Sequence, residues 1–426
     1  MDKQKYDCYV HILEEELVPA MGCTEPIALA YAAAVARKTL GALPETVKIE
    51  VSGNIIKNVK SVIVPNTDGL KGIPAAAAAG IVAGNPEKEL EVIAQVTPGE
   101  IQEIKNYLEQ TKITFSQIDS GRLFDIVVTV RQGESEAMVR IAGYHTNIIC
   151  IKKDGVVLLE KEYTEAPVSQ QTDRSELSVE GIIEFANTVD INDIKEVIGR
   201  QIEYNTAIAE EGLRGNWGAN IGTILLKSYG NSVFNRAKAM AAAGSDARMN
   251  GCELPVIINS GSGNQGMTTS LPVIVYAKEL NVSEEMLYRG LVVSNLVTIH
   301  LKTGIGRLSA YCGAISAGCG AGAGITYLYG GGYNEISHTI VNAVAINSGV
   351  ICDGAKASCA AKIASAVEAG LLGMQMYHHG SQFYEGDGIV TKGVENTILN
   401  VGELAREGMK ETDKRILQLM TKGLTE

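Results

Sequence analysis

Aromatic side chains are scarce. They make up 5% of the 426 residues, with a single tryptophan, although 46% of the chain is hydrophobic. Alanine and glycine carry much of the apolar count, which disfavours an aromatic-rich sheet core and favours helices that approach closely. No run of five or more basic residues occurs, and the formal net charge is −12. That balance disfavours nonspecific nucleic-acid binding and attraction to an anionic membrane, so neither is expected as a partner. The opening Met1-Asp2-Lys3-Gln4-Lys5-Tyr6-Asp7 has no apolar stretch, so no secretory leader is expected and the cytoplasm is the expected location. Leu308 to Tyr333 carries no charge, but it holds eight glycines and few large aliphatics. It would span a membrane poorly and is expected to be a buried, close-packed helix and loop.

A chain this long exceeds one ordinary core and implies two or three structural units. Residues 9–40 read as two helices around a break from Pro19 to Pro26. Thr24 is the expected cap of the second helix, with Pro26 in its first turn, so Cys23 falls just before a helix start. Strands are expected at Val47–Val51, Val59–Val64, Leu90–Val96, Lys112–Phe115, Phe124–Val130, Glu136–Ile141 and Gly155–Glu160. Helices interleave at Pro74–Ala83 and Pro98–Gln110. Residues 166–179 are polar and read as a linker. Beyond Ser178 helical patterns dominate, with Asp190–Lys227 read as one helix. The expected fold class is α+β: a largely helical catalytic domain from 1–45 plus 180–426, and an inserted α/β-sandwich-like domain from 46–165.

Eight cysteines occur, at 8, 23, 150, 252, 312, 319, 352 and 359, and reduced thiols are expected. Four of them fall between Cys312 and Cys359. The spacing of Cys319, Cys352 and Cys359 does not fit zinc, which prefers two to four residues between paired ligands. An iron–sulfur cube is larger and accepts thiolates from separated loops, and Gly and Ala neighbours let the backbone come close. The same pattern also suits three buried thiols in an Ala/Gly-rich interior, and spacing leaves both readings open. Ser260-Gly261-Ser262-Gly263-Asn264-Gln265-Gly266 follows an apolar run and precedes a helix expected to be capped by Thr268 or Thr269. Its backbone N–H groups can cradle a carboxylate, with Asn264 and Gln265 donating; a plain turn is the alternative. Asn54, Asn58, Asn66 and Lys71 are candidates for the second wall of a cleft. His300 and Lys302 read as a helix end, and His378-His379 has no partner at metal spacing.

In combination, several segments carry a resemblance that spans nearly all of the chain. They are Gly22-Cys23-Thr24-Glu25-Pro26, Gly53-Asn54-Ile55-Ile56-Lys57-Asn58-Val59, Pro65-Asn66-Thr67, Ser260 to Gly266, Gly318-Cys319-Gly320, and Ile351-Cys352-Asp353-Gly354 with Cys359. The chain resembles the L-cysteine desulfidase family, related through its C-terminal half to the α chain of iron–sulfur L-serine dehydratases. The resemblance implies a [4Fe–4S] cluster held by three cysteines with one iron open. Matched by motif, those ligands are Cys319, Cys352 and Cys359. It also implies Cys23 as the base, with Thr24, Glu25, Asn54, Asn58, Asn66, Lys71, Asn264 and Gln265 expected around the substrate.

The implied reaction is a non-redox β-elimination of L-cysteine to sulfide, ammonia and pyruvate, with the open iron as Lewis acid. A thiol ionises near pH ~8.5, and lower beside a helix N-terminus, so a Cys23 thiolate is the expected proton acceptor. Cys312 can pair with another cysteine or cap the open iron. The serine dehydratases carry a Ser- and His-rich segment where this chain has Gly22 to Pro26, which favours cysteine as substrate. An iron–sulfur L-serine dehydratase, a non-catalytic cysteine-responsive iron–sulfur sensor and a pyridoxal enzyme are the rival readings. A homo-oligomer is compatible with all of them.

Overall fold

The structure, a computed structural model, describes residues 1–162, 172–306 and 309–422. Helix α1 (Lys3–Glu16) starts at Asp2, whose carboxylate accepts from the Lys5 N–H, and buries Tyr9, Ile12 and Leu13. A short strand β1 (Pro19–Met21) leads to α2 (Thr24–Leu40), which Gly41 closes in a left-handed conformation (φ +85°). Then follow β2 (Thr46–Val51), α3 (Gly53–Val59), α4 (Gly72–Ala83) and α5 (Pro98–Gln110). Thr97 and Glu100 form a reciprocal capping box at the start of α5. Strands β3 (Lys112–Gln117), β4 (Asp125–Gln132), β5 (Ser135–Ala142), β6 (Ile148–Lys153) and β7 (Val156–Glu160) complete a six-stranded sheet in the order β3-β2-β4-β5-β6-β7. Only β2 and β3 run parallel, because α3, α4 and α5 form the crossover between them.

Two expected strands are absent. Val59–Val64 is the end of α3 and a turn, with a lone bridge from Ile63 to Lys71. Every residue of α3 is buried, so no solvent-facing position imposes a period on its sequence. Leu90–Val96 begins inside a 3₁₀ turn, Pro86–Glu91, capped by Asn85, and continues as further turns. Strand β6 was not anticipated.

The rest is helical: α6 (Val179–Thr188), α7 (Ile191–Arg214), α8 (Ile221–Tyr229) and α9 (Val233–Met249). Strand β8 (Pro255–Ile257) is followed by α10 (Gly263–Leu280), α11 (Glu284–Ile305), α12 (Gly313–Leu328) and α13 (Tyr333–Asn347). Helices α14 (Cys359–His378), α15 (Val394–Glu403) and α16 (Lys410–Thr421) end the chain's described part. The single helix expected over 190–227 is two, broken before Asn220, which takes a left-handed conformation (φ +53°). The uncharged glycine-rich stretch becomes α12, packed among α10, α11, α13 and α14. A Cβ at Gly318 would stand 2.2 Å from the Ala366 carbonyl oxygen, so only glycine admits α14 at this distance. Among the described residues no helix is long and apolar enough to cross a membrane. The expected linker is described from Thr172 onward, where Ser178 caps α6; its earlier part lies outside the described residues.

This α+β protein has two large hydrophobic cores. One joins α1 and β1 to the helices from α6 onward. The other joins α2, α4 and α5 to the sheet. The composition boundary at 45 therefore does not coincide with the packing boundary, which falls near Cys23. Helix α2 is Ala-rich and buried on nearly all sides, and a Cβ at Gly80 of α4 would stand 2.0 Å from the Ala30 carbonyl oxygen. That close pairing holds α2 to the sheet layer. At the junction lies a third, small cluster of Cys23, Val62 and Met249, with Ala355 and Cys359 against it. The last helix returns across this junction: Asp413 of α16 pairs with Lys57 of α3 at 2.6 Å.

Candidate active site

β1 and β8 pair antiparallel, Pro19 with Ile257 and Met21 with Pro255, so the chain entering α2 runs beside the chain entering α10. Gly22 turns left-handed (φ +58°) against Pro65, and Cys23 follows as the N-cap of α2. Thr24, the expected cap, is instead the first helical residue. Its hydroxyl lies 3.2 Å from the Gly261 carbonyl oxygen and 3.1 Å from Glu25 Oε2. The Cys23 thiol donates to the same Glu25 oxygen at 3.4 Å, and Asn58 Nδ2 donates to Glu25 Oε1 at 2.9 Å. All four residues line one cavity. The helix start does not lower the Cys23 thiol as expected. Burial, then the Glu25 carboxylate, push it well above the usual thiol range, and Arg248 opposes them only in part.

The facing wall is a two-stranded ribbon. Cys312 N donates to Val350 O at 3.0 Å and Cys352 N to Ala310 O at 2.6 Å, with Tyr311 and Ile351 bridged between them. This sets Cys312 and Cys352 side by side on the cavity, and Cys359, at the start of α14, joins them. Burial pushes the Cys312 thiol up to about 12, with the Cys352 charge adding to it; burial also raises Cys359, which Lys356 counters. The Cys352–Gly354 turn sits directly on α3: a Cβ at Gly354 (φ +93°) would stand 2.1 Å from the Lys57 carbonyl oxygen.

Cys319 is not among the thiols of this wall. It lies about two helical turns into α12 from Cys312, is 1% exposed, and burial pushes it up to about 12. Of the three cysteines matched by motif, Cys352 and Cys359 line the cavity and Cys319 does not; Cys312 lines it beside them. Among the described residues no group of three His, Cys, Asp or Glu is arranged around a single ion. A four-iron cube demands more room and takes thiolates from separate segments, which is how this ribbon and helix start present them.

The remaining wall is the entrance to α10. That helix begins at Gly263, not at Thr268, which leaves Asn264 and Gln265 in its first turn and both on the cavity. Ser260 and Gly261 are left-handed (φ +50° and +79°). Three other expected substrate residues lie outside the cavity lining. Asn54 is buried in α3, Asn66 donates to the Ile93 carbonyl at 2.8 Å, and Lys71 is the exposed residue before α4. His300 also lies off the cavity, 2.6 Å from Glu395, while Lys302 lines it and donates to Gly306 O. His378 and His379 are exposed at the end of α14.

Sequence reasoning missed Arg248, His145 and Lys57, which all line the cavity. His145 packs edge-on against Phe124, 4.8 Å between centroids, on the sheet side. A lone Arg at the end of an Ala-rich helix carries no motif; only its burial distinguishes it.

A profile of the serine dehydratase alpha chain matches residues 87–418. A UPF0597 protein of Desulfitobacterium hafniense is 65% identical over 97% of this chain and 96% of its own length. UPF0597 proteins of Lachnoclostridium phytofermentans and Treponema denticola are 53% and 47% identical, each over 97% or more of this chain and 99% of their own. With thiols, carboxylate and amides from both halves gathered on one cavity and a match over most of its length, the chain belongs to the serine dehydratase alpha chain family.

Proposed function

We propose that this protein is a cytoplasmic iron–sulfur lyase that eliminates sulfide from L-cysteine, leaving aminoacrylate that hydrolyses to pyruvate and ammonia. The observation that carries this reading is that one cavity is lined by Cys312, Cys352 and Cys359 together with Cys23 and Glu25. The donor set fits a [4Fe–4S] cluster with one iron open. Three thiols line the same cavity, and Lys356 and Lys362 bring positive charge to Cys359. When bound, the cluster supplies a Lewis acid that stabilises negative charge on the departing sulfur.

The chain's own residues supply the rest. The Cys23 thiol is hydrogen-bonded to Glu25 Oε2, which fixes its sulfur on the cavity. In its thiolate form that sulfur takes the Cα proton of the substrate, and the burial that raises the thiol makes the thiolate a strong base. Asn58 holds the other oxygen of Glu25 and keeps the carboxylate oriented. Burial of Cys23 and of Tyr311 keeps water from the Cα side of the site. The family match gives a second reading, elimination of water from L-serine at the same site.

Anaerobically purified, iron-loaded protein should release sulfide and pyruvate from L-cysteine faster than pyruvate from L-serine. Pyruvate from L-serine alone assigns the second reading, and turnover of neither overturns both. Cys23→Ala should keep its iron and lose about a hundredfold or more in exchange of the Cα proton with solvent deuterium.

A further inference from the structure

Among the described residues, two oppositely charged side chains on the cavity have no charged partner. The Arg248 guanidinium, on the last turn of α9, is 2% exposed. Its one hydrogen bond goes to a neutral group, Asn264 Oδ1 at 3.1 Å, and its Nε is buried without an acceptor. The cavity's Lys57 and Lys362 are satisfied by Asp413 and Asp353; no carboxylate among the described residues does this for Arg248. Glu25 is the mirror case. It is 8% exposed, and its three partners are a hydroxyl, a thiol and an amide, none of them cationic. A buried charge without a counter-charge is costly, so each is held in place for an ion that arrives from outside.

We infer that Arg248 and Glu25 are the two ends of a clamp for a free α-amino acid, Arg248 taking the α-carboxylate and Glu25 the α-ammonium. The surroundings of Arg248 suit a carboxylate. A Cβ at Gly263 would stand 2.4 Å from Arg248 Nε, so this glycine lets the guanidinium lie against the start of α10. The first-turn N–H groups of Gly263, Asn264 and Gln265 open on the same side, and the Ser262 side chain does not cap them.

Among the described residues Glu25 and Arg248 form no ion pair with each other, and both act on the Cys23 thiol, Glu25 raising it and Arg248 lowering it. A zwitterion answers both at once. It also sets Cα near Cys23, with the side chain free to face the cysteine wall. This assignment rests on the elimination reading for its orientation, but not for the binding itself.

The test separates binding from turnover. L-Alanine has no leaving group, so calorimetric titration with it reads the clamp alone, beside L-alaninamide (no carboxylate) and N-acetyl-L-alanine (no ammonium). Wild-type protein should bind L-alanine and prefer it about a hundredfold over each blocked analogue, the scale of one lost charge-assisted contact. Arg248→Gln should lose the preference over L-alaninamide while keeping the preference over N-acetyl-L-alanine. Glu25→Gln should do the reverse, and Arg248→Lys should restore part of what Arg248→Gln loses. Equal affinity of wild-type protein for all three ligands overturns the clamp. So does an Arg248→Gln variant that keeps full discrimination, or one that loses both preferences together. Binding of L-alanine with these specificity changes, but no turnover of L-cysteine or L-serine, leaves the clamp standing and removes the elimination reading.

Discussion

Removal of the Asp413 carboxylate tests how the last helix supports the cavity. Lys57 lines the cavity with its side chain 1% exposed, and Asp413, 14% exposed, is its partner at 2.6 Å. At that distance the gross attraction is about 6 kcal/mol for an effective dielectric near 20, before desolvation is subtracted. Removing one partner of a buried pair costs about 3–5 kcal/mol, because the other charge stays behind. Water reaches Asp413, so the lower end applies, about 3 kcal/mol for Asp413→Ala. That corresponds to a rise of roughly a hundredfold in the population with α16 detached from α3.

Hydrogen–deuterium exchange of peptides from α3 and α16 reads this opening directly and needs no assumption of two-state unfolding in a protein of this size. Lys57→Met should cost much less, since a methionine fills the buried site and the remaining carboxylate can turn to solvent. The double variant should regain most of the protection lost in Asp413→Ala. Lys60, which donates to the Met420 carbonyl at 2.7 Å, keeps α16 tethered in all three. If the two single variants lose protection equally, or if α3 exchanges at its wild-type rate in Asp413→Ala, the ion pair is not what fixes this wall.

Cys312→Ala, Cys352→Ala and Cys359→Ala should each lower iron per chain after anaerobic reconstitution while Cys319→Ala leaves it unchanged; iron lost from Cys319→Ala would restore the motif-based set. Asp246 is fully buried in α9, and burial raises its carboxyl to about 6 against the N–H groups of Gly222, Ile221 and Ala219. Because its folded pKa lies above the unfolded value of about 3.9, stability falls as pH rises from about 4 to about 6 and stays lower above that. Asp246→Asn should therefore raise stability at pH 7, by up to about 3 kcal/mol, and flatten that slope; lower stability at pH 7 would show that the fold uses the charge. Gly354→Ala, forced against the Lys57 carbonyl, should lower the thermal midpoint and the iron content together, by about 2 kcal/mol or more in stability. Normal values for both would mean that the cysteine loop is not locked on α3.

Much of the fold was legible where a period was present. β4 and β5 pair residue for residue from Asp125 with Ala142 to Gln132 with Ser135, and their patterning marked them as strands. The α5 helix announced itself through Thr97, Pro98 and Glu100. Legibility failed where burial is complete. Lys57 and Asn58 sit in a helix with no exposed face, and the β-branched run after it was read as a strand. The site was half legible for a related reason. Gly22 to Glu25 and Asn264-Gln265 carry motifs that do not depend on packing. Which thiol of Cys312 and Cys319 faces the cavity depends on the bridge from Tyr311 to Ile351, a contact between segments 40 residues apart that spacing does not encode. Arg248 was invisible because a charge becomes informative only once its missing partner can be seen.

The pairing of β1 with β8 also sets a timetable for synthesis. Pro19 waits for Ile257, 238 residues later (257 − 19), before its strand has a neighbour. At about 5–20 residues per second that is roughly 10–50 s on the ribosome. The sheet and α2 need nothing beyond Glu160, so that layer can close early, with Cys23 at its edge. The apolar face of α1 waits only for Phe185, against which Tyr9 packs edge-on, but the open edge of β1 waits for the whole interval. A nascent chain stalled before Ile257 thus offers a bare strand edge to chaperones, and to other stalled copies of itself.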